Sequence, residues 1–397
     1  MVSAFKAFIW DSSPPDGIPF EPSESLRRLE FTGRHATYTN ADTWYPSWAA
    51  DGHMYSPWTD GSIDGAFCHS YDGGEPSPNS PAHTGQARIE GDNPLELKVI
   101  NLGKTASDAS PYKGRYPCGS LVYNGIWYYG TYCLGPSNTH DYENITYNWP
   151  WLGSFVGFRT SHDFGMTWVD SPHTPASPLF GENGLKGQPV RIGSPHFVDF
   201  GCNMEHSPDG KAYLVAHGSD LKFYPTRFAN NSWITGDQIY LLRVTPSLET
   251  MNDPGFYEFF AGHDSTGAPI WTNDFMLIQP ILEWQNNMGC VTVTYNAPLR
   301  KFIMCVTDGG ITCGKMNSYI LEADTLTGPW KLITYMKNFG EQAYFLNLPS
   351  KFISDDGLTL WLCYAGNFAV GWNGQDIQTN PPGGRYAMSL QEIRLLG

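Results

Sequence analysis

Five times along the chain an apolar, aromatic-rich run enters a turn signal and a second such run returns from it. The five units are TWYPSWAADGHMYSPWTDG (43–61), YPCGSLVYNGIWYYGTYC (116–133), PHFVDFGCNMEHSPDGKAYLVAHG (195–218), CVTVTYNAPLRKFIMCVTDG (290–309) and YFLNLPSKFISDDGLTLWLCYAGN (344–367). Short runs of this kind predict strands, and each pair predicts an antiparallel hairpin. The turns carry Asp51-Gly52, Asn124-Gly125, Asp209-Gly210 and Asp356-Gly357, dipeptides that tolerate the positive φ a tight hairpin needs; Asn296-Ala297-Pro298-Leu299-Arg300 is the exception. Further strands follow at 155–160, 239–244, 318–322 and 330–335. A hairpin recurring every roughly 60–90 residues predicts an all-β fold, a five-bladed β-propeller with four-stranded antiparallel blades. The expectation is one propeller domain over 1–397, with segment 1–30 completing or bracing the last blade. The stretches 62–114 and 134–154 read as long loops that wall the site.

Composition narrows the partners. Charged residues make up 16% and aromatic residues 15% of the 397, beside 42 Gly and 30 Pro, a profile of many turns and much aromatic surface that suits a carbohydrate-facing β-protein. A net charge of −15 argues against nucleic acid, and more weakly against strongly anionic polymers. The eight cysteines show no metal-ligand spacing; they read as buried thiols, or as cross-hairpin pairs Cys118 with Cys133 and Cys290 with Cys305. The N-terminus lacks the apolar core of a signal peptide and no run reaches transmembrane length, so the expectation is no membrane partner. The chain is then cytoplasmic, or secreted or periplasmic if a leader has been removed. Walker, HExxH, GxSxG and Rossmann signatures are absent, so no cofactor is expected, a calcium ion on the propeller axis staying open.

In a propeller the innermost strand of every blade starts at one end of the central channel, and the second strand returns there. The starting positions are Asp42, Arg115, His196, Asn287 and Glu341; the returning ones are Asp60, Tyr132, His217, Asp308 and Asn367. Hairpin pairing sets Asp60 beside Asp42, with Glu341 facing them from another blade. Glycoside hydrolysis needs such carboxylates: one protonates the leaving oxygen while another attacks the anomeric carbon or activates water. Asp42, Asp60 and Glu341 are therefore the candidate catalytic residues. Trp44 is a candidate stacking platform, and Arg115, Tyr116, Arg159, His196 and Asn287 are candidate ligands to sugar hydroxyls or to a substrate carboxylate. The dull alternatives are a turn residue at Asp60, a strand-start cap at Asp42 and an Arg115 ion pair inside the core.

The strings ADTWYPSWAADG (41–52), YSPWTDG (55–61), HFVDFG with HSPDGKAYLVAHG (196–218) and YILEADTLTGPW (319–330) resemble the five-bladed propeller glycoside hydrolases. Closest in pattern is the endo-D-arabinanase-like group long catalogued as a domain of unknown function; arabinanase and β-xylosidase propellers are a more distant likeness. The resemblance covers about residues 40–370. It implies an arabinan- or arabinogalactan-like polysaccharide substrate and two catalytic aspartates on the first blade, at the positions of Asp42 and Asp60. Ser161-His162-Asp163-Phe164-Gly165-Met166-Thr167-Trp168 matches the S-x-D-x-G-x-T-W Asp box of sialidase-type propellers, a structural turn on the blade periphery. Two other readings stay open. One is a polysaccharide lyase or rhamnose–uronate-cleaving propeller with a base among His196, His69, His83 and Tyr116 and a neutralising Arg115 or Arg159. The other is a glycan-binding propeller without catalysis.

Overall fold

The computed structural model describes residues 6–73, 81–137, 140–142, 145–147, 150–185, 188–220, 233–308, 317–337, 339, 344–365 and 387–397. Among these residues the regular structure is β-strand apart from single-turn 3₁₀ segments. Each predicted hairpin opens one antiparallel sheet, and the five sheets form the blades of a β-propeller. In the first blade, Asn40–Asp42 and Ser47–Trp48 both pair with Met54–Ile63, which is followed by His83–Glu90 and Lys98–Ala106. The second is Gly114–Tyr123, Ile126–Ser137 and Pro150–Ser161, and the fourth is Cys290–Asn296, Lys301–Asp308, Asn317–Ala323 and Lys331–Met336. The third runs from His196–Phe197 through Ala212–Gly218, Gln238–Val244 and Glu258–His263 to Pro269–Thr272. The fifth joins both parts of the chain: Tyr344–Asn347, Thr359–Ala365 and Met388–Leu396 continue into Arg28–Tyr38 and Phe8–Ile9.

Turn chemistry sets the hairpins. Tyr123 pairs with Ile126 across Asn124 (φ 50°) and Gly125 (φ 80°), a two-residue turn with both residues in the left-handed region. In the exceptional fourth turn it is Arg300, at φ 54°, that takes the positive φ.

The blades depart from a uniform four strands. The second has three strands plus a single bridge from Thr160 to Val169, and the third carries an extra strand, Pro280–Glu283, beside Gln238–Val244. The stretch 62–114 is not a loop: it holds Ala66–Cys68 and two long strands of the first blade. Likewise 134–154 contains the ends of Ile126–Ser137 and Pro150–Ser161 and a short ribbon, His140–Tyr142 with Ile145–Tyr147. The polar composition of HTGQARIE (83–90) concealed a strand because its inward positions are themselves polar. Buried Thr84 receives Arg159 Nη2 at 2.6 Å and the Gly85 carbonyl receives Tyr129 Oη at 2.7 Å, both from the second blade.

The Asp box is a turn, as its sequence predicts. Asp163 accepts from Ser161 Oγ, Met166 N and Thr167 N through Oδ1 and from Thr167 Oγ1 through Oδ2, which draws its carboxyl down to about 2. Trp168 packs on Trp127 and Tyr129, at 5.2 and 5.4 Å between ring centroids.

Around the axis the inner strands are laced by hydrogen bonds. Val122 N donates to Ser47 Oγ (2.8 Å), joining blades two and one, and Gly119 N donates to Pro195 O (2.8 Å), joining two and three. Asp199 N donates to Val293 O and receives Tyr295 N on its carbonyl, between three and four. Thr292 and Thr294 donate to the carbonyls of Leu346 and Leu348, between four and five. Asn347 Nδ2 donates to Trp44 O at 2.9 Å and closes the ring between five and one. Replacing Asn347 with alanine leaves that buried carbonyl without this donor, and the expected cost is about 1–3 kcal/mol. Urea unfolding of the variant measures it; wild-type stability would mean that packing alone holds this seam.

Candidate active site

Asp42 ends the inner strand of the first blade and pairs with Thr59, so Asp60 follows on the adjacent strand. The register slips between Asn40 and Asp42, and the slip is made by unusual backbone. Thr39 (φ 67°), Thr43 (φ 70°) and Asp60 (φ 40°) all occupy the left-handed region. For β-branched threonines this is a costly conformation, and such outliers gather where function demands a particular side-chain aim. Glycine is required next to Asp60: a Cβ on Gly61 would collide with the Asn40 carbonyl oxygen.

The two aspartates differ in surroundings. Asp42 is buried, within electrostatic reach of Tyr45, Tyr132 and Cys290 from the first, second and fourth blades. Burial chiefly, and the Asp42 charge in addition, keep those two phenols and the thiol protonated far above their ordinary range. Asp60 is half-buried; Oδ1 accepts the Ser70 amide at 2.8 Å and Thr59 Oγ1 at 3.4 Å. Burial raises its carboxyl above the usual aspartate value, partly offset by the Ser70 amide and by His69. A carboxyl lifted in this way holds its proton at higher pH, the property a general acid needs.

The remaining candidates are spread over several blades. His196 is buried, its ring 4.2 Å from that of Tyr45 between centroids, and burial beside His217 pushes its imidazole down to about 3, so it is neutral over the working range. Tyr116 pairs with Tyr132, ring centroids 6.0 Å apart, and Tyr132 is also hydrogen-bonded to Ser194. Arg115 is engaged within the second blade, donating to Thr131 Oγ1 at 3.0 Å and to the Asp108 carbonyl at 3.3 Å. Arg159 is buried, its guanidinium 4.0 Å from the Tyr129 ring centroid and 4.9 Å from that of Trp168. Trp44 is fully buried with Nε1 donating to Ala41 O, so its indole presents no face to solvent. Asn287 lies in the turn before the fourth inner strand and donates to Gln285 O. Glu341 and Asn367 lie outside the described residues.

Sequence reasoning did not single out Tyr45 or Cys290 as site residues, offered Tyr132 only as a returning-strand end and His69 only as a base for the eliminative reading. Tyr45 is three residues from Asp42, whereas Cys290 is brought to it from the fourth blade. Farther along the axis the channel narrows to a cavity of about 40 Å³ lined by Tyr45, Ser120, His196, Asp199, Thr292 and Asn347 among others. Asp199 ties that region to the fifth blade, accepting Ser350 Oγ at 2.6 Å and Ser350 N at 2.8 Å. Among the described residues no group of three or more His, Cys, Asp and Glu is placed to hold a metal ion, the seven cysteines are free thiols, and no helix is long and apolar enough to cross a membrane.

No protein-family model and no curated protein sequence matches this chain. Among solved structures it is similar to a Bacteroides ovatus protein, at 11% identity over 96% of both chains with a TM-score of 0.49. It is also similar to the GH43_1 enzyme of Xanthomonas citri complexed with xylotriose, at 13% identity over 91% of this chain and 89% of that one, TM-score 0.46. A third likeness is to an α-L-arabinofuranosidase of Podospora anserina in complex with cellotriose, at 11% identity over 97% of this chain and 95% of that one, TM-score 0.43.

Proposed function

We propose that the protein is a glycoside hydrolase that cleaves its bond at the channel mouth with Asp60 and Asp42. The observation that carries the proposal is the pair itself: two carboxyls on adjoining strands of one hairpin, aimed by strained backbone, one buried and the other held above its usual pKa. Asp60 protonates the departing oxygen as the glycosidic C–O bond breaks, and Asp42 supplies the second carboxylate. Glu341 of the fifth blade is proposed as a further carboxyl at the same mouth. The first-hairpin motif supports an arabinan- or arabinogalactan-like polysaccharide as substrate.

The eliminative reading is supported less, because Arg159 is enclosed between the first and second blades and Arg115 is spent on Thr131 and Asp108. Wild type and Asp42→Asn, incubated with arabinan, arabinogalactan, gum arabic and uronate polymers, separate the readings. The expected result is new reducing ends without unsaturated, ultraviolet-absorbing products, and their loss in the variant. Equal product release by both proteins would remove Asp42 from the mechanism, and binding without turnover on every glycan would favour the non-catalytic reading.

A further inference from the structure

We propose that Ser70 and Thr59 are positioning residues for Asp60: together they hold its Oδ1, so that Oδ2 is the oxygen that carries the proton and gives it to the leaving group. The proton transfer rests on the hydrolase reading; the holding of the carboxyl does not.

The contacts fall on one oxygen. Asp60 Oδ1 accepts the Ser70 amide at 2.8 Å and Thr59 Oγ1 at 3.4 Å. Among the described residues no hydrogen bond from another residue reaches Oδ2. An amide N–H can only donate, and the carbonyl-type oxygen of a protonated carboxyl is its better acceptor, so the proton resides on Oδ2. Thr59 and Ser70 are fully buried whereas Asp60 is half-buried, so the engaged oxygen lies on the enclosed side of the carboxyl.

Ser70 is itself held by two blades. Its hydroxyl is hydrogen-bonded to that of Thr59 and donates to His83 O at 3.2 Å, and its carbonyl accepts the Arg115 amide of the second blade at 2.9 Å. Thr59 is fixed by its strand, which pairs it with Asp42. The two hydroxyls carry one hydrogen each and can rotate. With Asp60 ionised, Thr59 donates to Oδ1 and Ser70 to Thr59, while Cys68 Sγ, at 3.0 Å, still supplies His83 O. With Asp60 protonated, Thr59 turns to Ser70 and Ser70 to His83 O. Both charge states leave the hydroxyl pair satisfied without displacement of a heavy atom.

In the reaction the glycosidic C–O bond breaks with its electron pair on the leaving oxygen, which takes the Oδ2 proton, while the anomeric carbon bonds to Asp42 or to a water that Asp42 activates. The charge left on Asp60 is met at Oδ1 by the Ser70 amide and the Thr59 hydroxyl, and solvent returns a proton to Oδ2. The ionisable groups around this spot are Asp42 on the paired strand, His69 with Nδ1 2.8 Å from Tyr71 O, Cys68 and His83, Lys104 on Phe67 O and Arg159 on Thr84. All are retained in the Thr59 and Ser70 variants, so their influence cancels in the comparison.

The test compares wild type, Thr59→Val, Thr59→Ser and Ser70→Ala. Difference infrared spectroscopy of the carboxylic acid band, assigned to Asp60 by its loss in Asp60→Asn, follows protonation without substrate. The expected result is a rise of the Asp60 midpoint by about 0.5–1 pH unit in Thr59→Val and Ser70→Ala, because the carboxylate loses support at Oδ1. Thr59→Ser keeps the hydroxyl and should restore the wild-type midpoint. With substrate, the alkaline limb of kcat/KM should move to higher pH along with the midpoint, since a general acid that keeps its proton longer works to higher pH. On the plateau kcat should fall about tenfold with little change in KM, because the carboxyl is no longer held in place. A purely structural role would lower stability and leave the limb where it is. An unmoved midpoint in folded Thr59→Val overturns the proposal, as does a Thr59→Ser that titrates like Thr59→Val; if Ser70→Ala fails to fold, Thr59→Val decides. Absence of turnover by wild type overturns the hydrolase reading and leaves the infrared result to decide how the carboxyl is held.

Discussion

Asp60→Asn is expected to lower kcat by about 10²–10⁴, the range carried by a positioned general acid, while raising stability at neutral pH. The two effects have one cause. Burial lifts the Asp60 carboxyl in the native state, whereas in the unfolded chain it titrates near about 3.9. The native state therefore holds the proton more tightly, and the stability it gains is complete below about pH 3.9 and lost as pH rises through the native pKa. Above its native pKa the wild-type carboxyl carries a charge that asparagine lacks, while asparagine can still accept the Ser70 amide. The melting temperature of Asp60→Asn should gain on wild type as pH is raised from acid to neutral. His196 acts in the opposite sense, since its imidazole is depressed to about 3 and protonation in acid opposes folding. That contribution is common to both proteins and cancels in the difference. A difference in melting temperature that is flat with pH would contradict the raised carboxyl, and unchanged kcat would contradict its role as acid.

Gly61→Ala is expected to be the most damaging single methyl group in the first blade. At φ 153° the residue occupies backbone space that side chains rarely adopt, and the added Cβ would be driven into the Asn40 carbonyl oxygen and to 2.7 Å from Ala41 Cα. Both obstacles are main chain of the paired strand, so no rotamer change relieves them. Strain and overpacking together should cost about 2–6 kcal/mol. Gly52→Ala is the control: its φ is 84° and nothing lies within 4 Å of the added Cβ, so it should lose only about 1–2 kcal/mol. Urea midpoints of the two variants isolate the clash. Because relief of that clash must part Asn40–Asp42 from Asp60, any folded Gly61→Ala should also lose activity; displacement of a reacting group by about 1 Å can cost 10²-fold. Equal midpoints for the two variants would show that the strands can separate at no cost.

The hairpins were legible because both ends of each are written locally. Apolar aromatic runs mark the strands and Asp-Gly or Asn-Gly marks the turn, so the pairs beginning at 43, 116, 195, 290 and 344 fall on the observed sheets. The strands His83–Glu90 and Lys98–Ala106 were missed for the converse reason. Thr84 and Gln86 face inward, and the partner that makes Thr84 tolerable there, Arg159, lies 75 residues away. Trp44 shows the same limit. Its position at the start of the hairpin suggested a stacking platform, but in the folded chain the indole is fully buried with Nε1 on Ala41 O.

By itself the sequence determined the number of blades, the turns and the hairpin that sets Asp60 on the strand beside Asp42, since strand direction and hairpin pairing are short-range properties. Tertiary structure alone decided which polar residues gather there. Closing five blades into a ring brings Tyr132 and Cys290 to Asp42 and draws Arg159 of the second blade onto Thr84 of the first, while Arg115 is taken up by Thr131 of its own blade. Ring closure joins residues far apart in the chain, and the depth at which each group is then buried sets whether it keeps or yields its proton.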